Sequence, residues 1–117
     1  MPQELLKLSQ LGPVTVVELF LPDALDSTEF DRLNDGLDDV FRDKTGGRWI
    51  LDLANVVYMG SAALGLMVNI RQRVKSSDGK LALCQMNSRL QQIFKACCLE
   101  KLFTIVRTRD DAAKALR

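Results

Sequence analysis

The sequence predicts an α/β domain built on a mixed, mostly parallel five-stranded sheet with four helices, and three observations carry that expectation. Four short runs are mostly apolar on both faces: VTVVELFL from Val14, RWILDL from Arg48, KLALCQM from Lys80 and LFTIV from Leu102. Strands buried on both faces are a mark of parallel sheets. Stretches of helical periodicity separate the runs, which is the pattern of crossover connections between parallel strands. An earlier run, Leu5 to Ser9, ends at the turn signal Leu11-Gly12-Pro13 and should return as an antiparallel edge strand.

Each helix has its own start signal. The first opens at Asp26, with Glu29 three residues on in a capping box, and should bury Phe30, Leu33, Leu37, Val40 and Phe41 before Gly46-Gly47 ends it. The second begins after Gly60-Ser61, and Ala62, Ala63, Leu64, Leu66, Met67, Val68 and Ile70 leave so narrow a polar stripe that its first turns should be largely buried. It turns polar from Arg71 and ends at Ser76-Ser77-Asp78-Gly79. The third opens at Ser88 with Gln91 in the capping-box position and places Leu90, Ile93, Phe94 and Cys97 on one face. A short fourth runs from about Asp110 to Leu116.

At 117 residues the chain is one domain by length, spanning 1–117, and buries enough surface to need neither disulfide nor metal. Its 47% hydrophobic and 26% charged residues exclude a disordered or fibrous chain. The longest uncharged stretch, Leu53 to Ile70, is 18 residues, but Asn55, Asn69 and the Tyr58-Met59-Gly60-Ser61 break interrupt it, so strand plus helix is expected and no membrane insertion. MPQELLKLSQ has no basic stretch followed by an apolar one, so the expected location is the cytoplasm.

Charge is unevenly placed: Met1 to Met59 carries 5 basic and 11 acidic residues, a net −6, while Gly60 to Arg117 carries 11 and 4, a net +7. The basic residues Arg71, Arg73 and Lys75 lack interleaved aromatics, so a solvated helix face is expected there and no nucleic-acid footprint. There is no histidine, and Cys84, Cys97 and Cys98 have no CxxC spacing, which removes most metal chemistry. Small apolar packing residues in a reducing compartment are the plain reading of the three thiols, and a redox role for vicinal Cys97 and Cys98 is the sharper one. No cofactor motif is present; in particular there is no GxxxxGK[ST] stretch.

Ser61 stands between the end of an apolar strand and the start of an apolar helix, at the sheet edge where open α/β folds place their sites. As a plain structural residue it would be the helix N-cap, contributing about 1 kcal/mol. As a functional residue it would be a phosphorylation site, since a helix N-terminus offers unpaired N–H groups to a phosphate and Gly60, Ala62 and Ala63 allow close approach. As a nucleophile it would need a base, and the chain has no histidine and no GxSxG elbow; Asp52 would be a poor base at an ordinary carboxylate pKa.

These residues resemble the STAS domain family, the module of bacterial anti-sigma factor antagonists and of sulfate-transporter tails. The resemblance lies in Leu25-Asp26, Trp49-Ile50-Leu51-Asp52-Leu53, Val57 through Gly65, Gly79-Lys80-Leu81-Ala82-Leu83, Leu99-Glu100-Lys101-Leu102-Phe103 and Asp110-Asp111-Ala112-Ala113. It implies strands in consecutive order with helices mainly on one face. It also implies that Ser61 is phosphorylated by an anti-sigma factor that is itself a serine kinase, and that the unphosphorylated form binds this kinase and frees a sigma factor for transcription. Gly60 stands where the family commonly has an acidic or hydroxyl residue, and Ala63 where it has a glycine. The partner surface is expected at Asp23 and Asp26 before the first helix, at Tyr58, Met59, Gly60 and Ala62, and along the exposed edge of the second helix, with Tyr58 and Met59 as anchors. A phosphatase and a weak homo-oligomer complete the expected partners. The alternative is an unphosphorylated STAS subunit of a membrane transporter or signalling complex.

Overall fold

A computed structural model describes residues 5–42 and 45–117. Residues 1–4, on which part of the leader reading rests, lie outside the described residues. The elements run β1 (Leu6–Leu11), β2 (Val14–Leu19), α1 (Ser27–Phe41), β3 (Arg48–Asp52), α2 (Ser61–Ser76), β4 (Lys80–Cys84), α3 (Ser88–Ala96), β5 (Thr104–Ile105) and α4 (Arg109–Ala115). The sheet order is β1-β2-β3-β4-β5; β1 is antiparallel to β2 and every other pairing is parallel. Gly12, at φ +61°, supplies the left-handed residue that turns β1 into β2.

Alternation along the strands divides the molecule into two cores. Val17, Leu19, Trp49, Leu51 and Leu83 face α1, α2 and α3 through Leu33, Leu37, Leu66, Met67, Ile70, Leu90 and Phe94. Val14, Val16, Ile50, Ala82 and Cys84 face the other way and are covered by Ala112 of α4 and by Leu116, the C-cap of that helix. Three helices therefore lie on one face and one on the other. Burying a leucine such as Leu37, which has no exposed surface, stabilises the fold by roughly 2–3 kcal/mol.

The α1 capping box forms as its residues dictate: Glu29 N–H donates to Asp26 Oδ1 at 2.7 Å, and Asp26 N–H donates to Glu29 Oε1 at 3.2 Å. Leu33, Leu37 and Val40 are buried, while Phe30 and Phe41 are only partly so.

Two helix expectations, for α3 and α2, need correction, while α4 begins within one residue of its expected start. The N-cap of α3 is Asn87, whose Oδ1 accepts from Leu90 N–H at 2.7 Å; Gln91 falls one residue late for a box with it and instead donates from Nε2 to Met86 O at 3.0 Å. Helix α4 starts at Arg109 and is capped by Thr108. Helix α2 is not largely buried in its first turns: Ala63, Leu66, Met67, Ile70 and Val74 face the core, but Ser61, Ala62, Gly65 and Asn69 are exposed. Small residues on that outer face, not burial, account for its missing polar stripe. Strand β5 shrinks to two residues, although Val106 N–H still donates to Leu83 O and Gln85 N–H to Arg107 O.

Candidate functional site

The segment from Leu53 to Gly60 carries the chain from the end of β3 to the start of α2, and its own residues fix its path. Ala54 N–H donates to Asp52 Oδ1 at 2.9 Å, Leu53 N–H to Cys84 O at 3.0 Å, and Val56 N–H to Leu53 O at 3.1 Å. Val56 and Met59, each 1% exposed, pin the segment into the larger core. From the neighbouring loop, Asn87 Nδ2 donates to Val57 O at 3.1 Å, so one residue both caps α3 and holds this segment. Between the pins, Val57 is exposed, and Tyr58 lies half-buried with the Arg89 guanidinium 4.9 Å above its ring centroid.

Gly60 is the N-cap of α2, extended at φ −85° and ψ −174°, with its carbonyl accepting from Leu64 N–H at 3.0 Å and no side chain closing the helix end. Ser61 is thus the first helical residue and is exposed. This overturns the reading of Ser61 as the N-cap: the cap is a glycine, and the hydroxyl one position later performs no capping.

Ser61 and Ala62 line one end of an open groove of about 800 Å³ between α1 and α2. Leu25, Phe30 and Val68 make it apolar, while Asp26 and Asp31 form an acidic rim. The structure therefore brings Asp26, Ser61 and Ala62 into one groove. Tyr58 and Gly60 stand beside it in the preceding turn, with the Tyr58 ring 3.9 Å from where a Gly60 Cβ would be. Asp23 is exposed but is not among the residues lining the groove.

Met59 is the second correction. It packs into the core, so it cannot anchor a partner in this conformation. Phe30 and Val68, which the sequence assigned to the buried faces of their helices, are partly open to the groove, and the exposed Arg89, which it did not single out, stacks over Tyr58. Phe30 occupies a core-facing position of an amphipathic helix, and only the small exposed residues of α2 leave it partly open.

On the opposite face, Asp52 is 3% exposed and accepts from Arg109 Nε at 2.5 Å. Arg109 Nη2 lies 3.4 Å from Glu18 Oε1, and Asn55 Nδ2 donates to Glu18 Oε2 at 2.9 Å. The hydrogen bond to Asp52 raises the Arg109 pKa further above its ordinary value. Burial first, and the Asp52 carboxylate second, push the Cys84 thiol up to about 12. A carboxylate already committed to a guanidinium and a backbone N–H is a structural group. Among the described residues, no group of three or more His, Cys, Asp or Glu could hold a metal, and no helix is long and apolar enough to cross a membrane.

Comparison with known proteins adds four findings. The family model of the STAS domain matches residues 8–112. The BtrV protein of Bordetella bronchiseptica, named as a candidate anti-sigma factor antagonist, is 27% identical over 75 residues, covering 64% of this chain and 65% of the relative, a little under two thirds of its length. Among solved structures, an anti-sigma-factor antagonist (STAS) domain protein from Planctomyces limnophilus matches with a TM-score of 0.81 at 20% identity, over 95% of this chain and 97% of that one. The phosphorylated form of the Bacillus cell fate determinant SpoIIAA matches with a TM-score of 0.68 at 16% identity, over 96% and 99%. At these identities the solved structures establish the fold.

Proposed function

The chain belongs to the STAS domain family, and on that premise we propose that it is an anti-sigma factor antagonist: a non-catalytic, cytoplasmic binding module whose partner surface is switched by a phosphate on Ser61. The partner is an anti-sigma factor with serine kinase activity, bound when Ser61 is unmodified, and a phosphatase restores that state. The observation that carries this reading is the placement of Ser61. Its hydroxyl is exposed, is relieved of capping by Gly60, and stands at the end of a groove with an apolar floor and acidic rim.

The physics of the switch follows from that placement. A phosphate at the first helical residue meets the unpaired N–H groups and positive end of α2, so modification leaves the fold intact. The same group puts nearly two negative charges beside Leu25, Phe30 and Val68, next to Asp26 and Asp31. A partner that covers the groove then has to desolvate a dianion, and a partner with acidic groups there is repelled.

The test is to incubate the purified protein with ATP and the serine-kinase anti-sigma factor of the same cell, then map the phosphate by mass spectrometry. Phosphate on Ser61, and none on the Ser61→Ala variant, supports the switch. Phosphate at another residue, or stable binding with no transfer, favours a fixed subunit of a larger assembly.

A further inference from the structure

We propose that β1 is a self-association edge, and that two copies of this chain join there about a two-fold axis through Leu8 to form one continuous sheet. The sheet order leaves β1 at the margin, and among the described residues no strand lies outside it. Four of its six residues, Lys7 to Gln10, are exposed, and Leu8 is an exposed large apolar side chain at 45%. An edge strand of this length with an outward leucine offers backbone donors and acceptors to another strand.

Hydrogen bonding fixes which groups are on offer. Phe20 N–H donates to Leu5 O at 2.9 Å, and the register runs from Leu6 opposite Leu19 to Leu11 opposite Val14. In an antiparallel ladder the bonded pairs alternate, so Lys7, Ser9 and Leu11 point their backbone groups at β2. Leu6, Leu8 and Gln10 point theirs outward.

A second copy of β1 satisfies those three residues with no group left over. Opposed residues in an antiparallel pair share a face, so the two-fold register must pair residues of like parity. Centred on Leu8, it sets Leu8 against its own mate and Leu6 against Gln10 from each side, closing about six inter-chain hydrogen bonds. The two exposed leucines cover each other on the face that carries α1. On the other face Lys7 falls opposite Ser9, so the two Lys7 side chains are diagonal and not direct neighbours across the axis, and each keeps Glu18 as its opposite-charge cross-strand neighbour within its own chain. The interface is closed and isologous, so it stops at two chains. It uses none of the residues that line the Ser61 groove, and it holds or fails independently of the proposed switch.

The test is a concentration series of the full chain by sedimentation equilibrium, with amide NMR spectra at each point. The expected result is a monomer–dimer equilibrium in which the amides of Leu6, Leu8 and Gln10 shift with concentration and gain exchange protection, while Lys7, Ser9 and Leu11 change little. Leu8→Lys places like charges at the axis and should weaken the dimer by roughly tenfold or more. Leu8→Pro removes an outward N–H that the fold does not use and should abolish dimerisation with an unchanged monomer spectrum. A strictly monomeric wild type, shifts that ignore the alternation, or a dimer untouched by both substitutions would overturn the proposal.

Discussion

Arg109 at the start of α4 donates to Asp52 at the end of β3 across 2.5 Å, and this bond ties the lone helix of one face to the sheet. Removing the guanidinium leaves a carboxylate that is 3% exposed and, among the described residues, keeps the Ala54 N–H as its donor. Because Arg109 itself is partly open to solvent, the cost of Arg109→Leu should be roughly 1–3 kcal/mol, below that of breaking a fully buried pair. Arg109→Lys should recover only part, since an ammonium cannot serve Asp52 and Glu18 with a planar fork. Denaturant unfolding of the two variants, and of Arg109→Leu combined with Asp52→Asn, measures this; the double variant should be less destabilised than Arg109→Leu alone.

The Cys84 thiol, buried against the same carboxylate, gives the alkaline behaviour. Its folded pKa is about 12 against an ordinary 9.0, so the native state holds the proton after the unfolded state has released it. Stability is therefore unaffected by this group below pH 9.0 and falls as pH rises from there toward 12. Replacing Cys84 with alanine should lower stability at neutral pH and flatten the alkaline decline. Thiol labelling gives a second readout: the exposed Cys97 and Cys98 should react in the native protein, and Cys84 only on unfolding. Rapid native labelling of Cys84 would contradict its burial.

Tyr58 and Met59 are adjacent in sequence and opposite in consequence. Met59→Ala removes a side chain that is 1% exposed and should cost roughly 2–5 kcal/mol. Tyr58→Ala loses a half-buried ring and its contact with Arg89, and should cost about 1 kcal/mol. If the surface around Ser61 binds the partner, Tyr58→Ala weakens binding with little change in stability, and Arg89→Ala behaves alike. Calorimetric titration beside thermal unfolding separates the two effects.

Strand and helix order was legible because four runs are mostly apolar on both faces and the stretches between them repeat at helical spacing, while Leu11-Gly12-Pro13 marked the turn out of β1, and the family resemblance supplied the consecutive order. What the sequence misjudged has local causes. A serine and a glycine are both good N-caps, and the choice of Gly60 over Ser61 depends on backbone angles that residue identity does not fix. Asn87 and Ser88 pose the same ambiguity, and Asn87 won because its amide also reaches Val57 O. The outer face of α2 read as buried because alanine and glycine count as apolar, whereas Ala62 and Gly65 form the wall of an open groove. The partnership of Asp52 with Arg109 joins residues 57 positions apart and has no local signal at all.

The proposed switch resides in Ser61, and the position of that residue separates stability from binding. With Gly60 as the cap, Ser61→Ala should change stability by less than about 0.5 kcal/mol. Ser61→Asp should be neutral or gain about 0.3–1 kcal/mol from the helix dipole. Stability therefore cannot mask a change in binding. Titrating both variants and the wild type against the cell's serine-kinase anti-sigma factor should show Ser61→Ala binding as the wild type does, and Ser61→Asp weakened about tenfold or more by charge and desolvation. Equal affinities for the alanine and aspartate variants would contradict the phosphate switch and remove Ser61 from the mechanism.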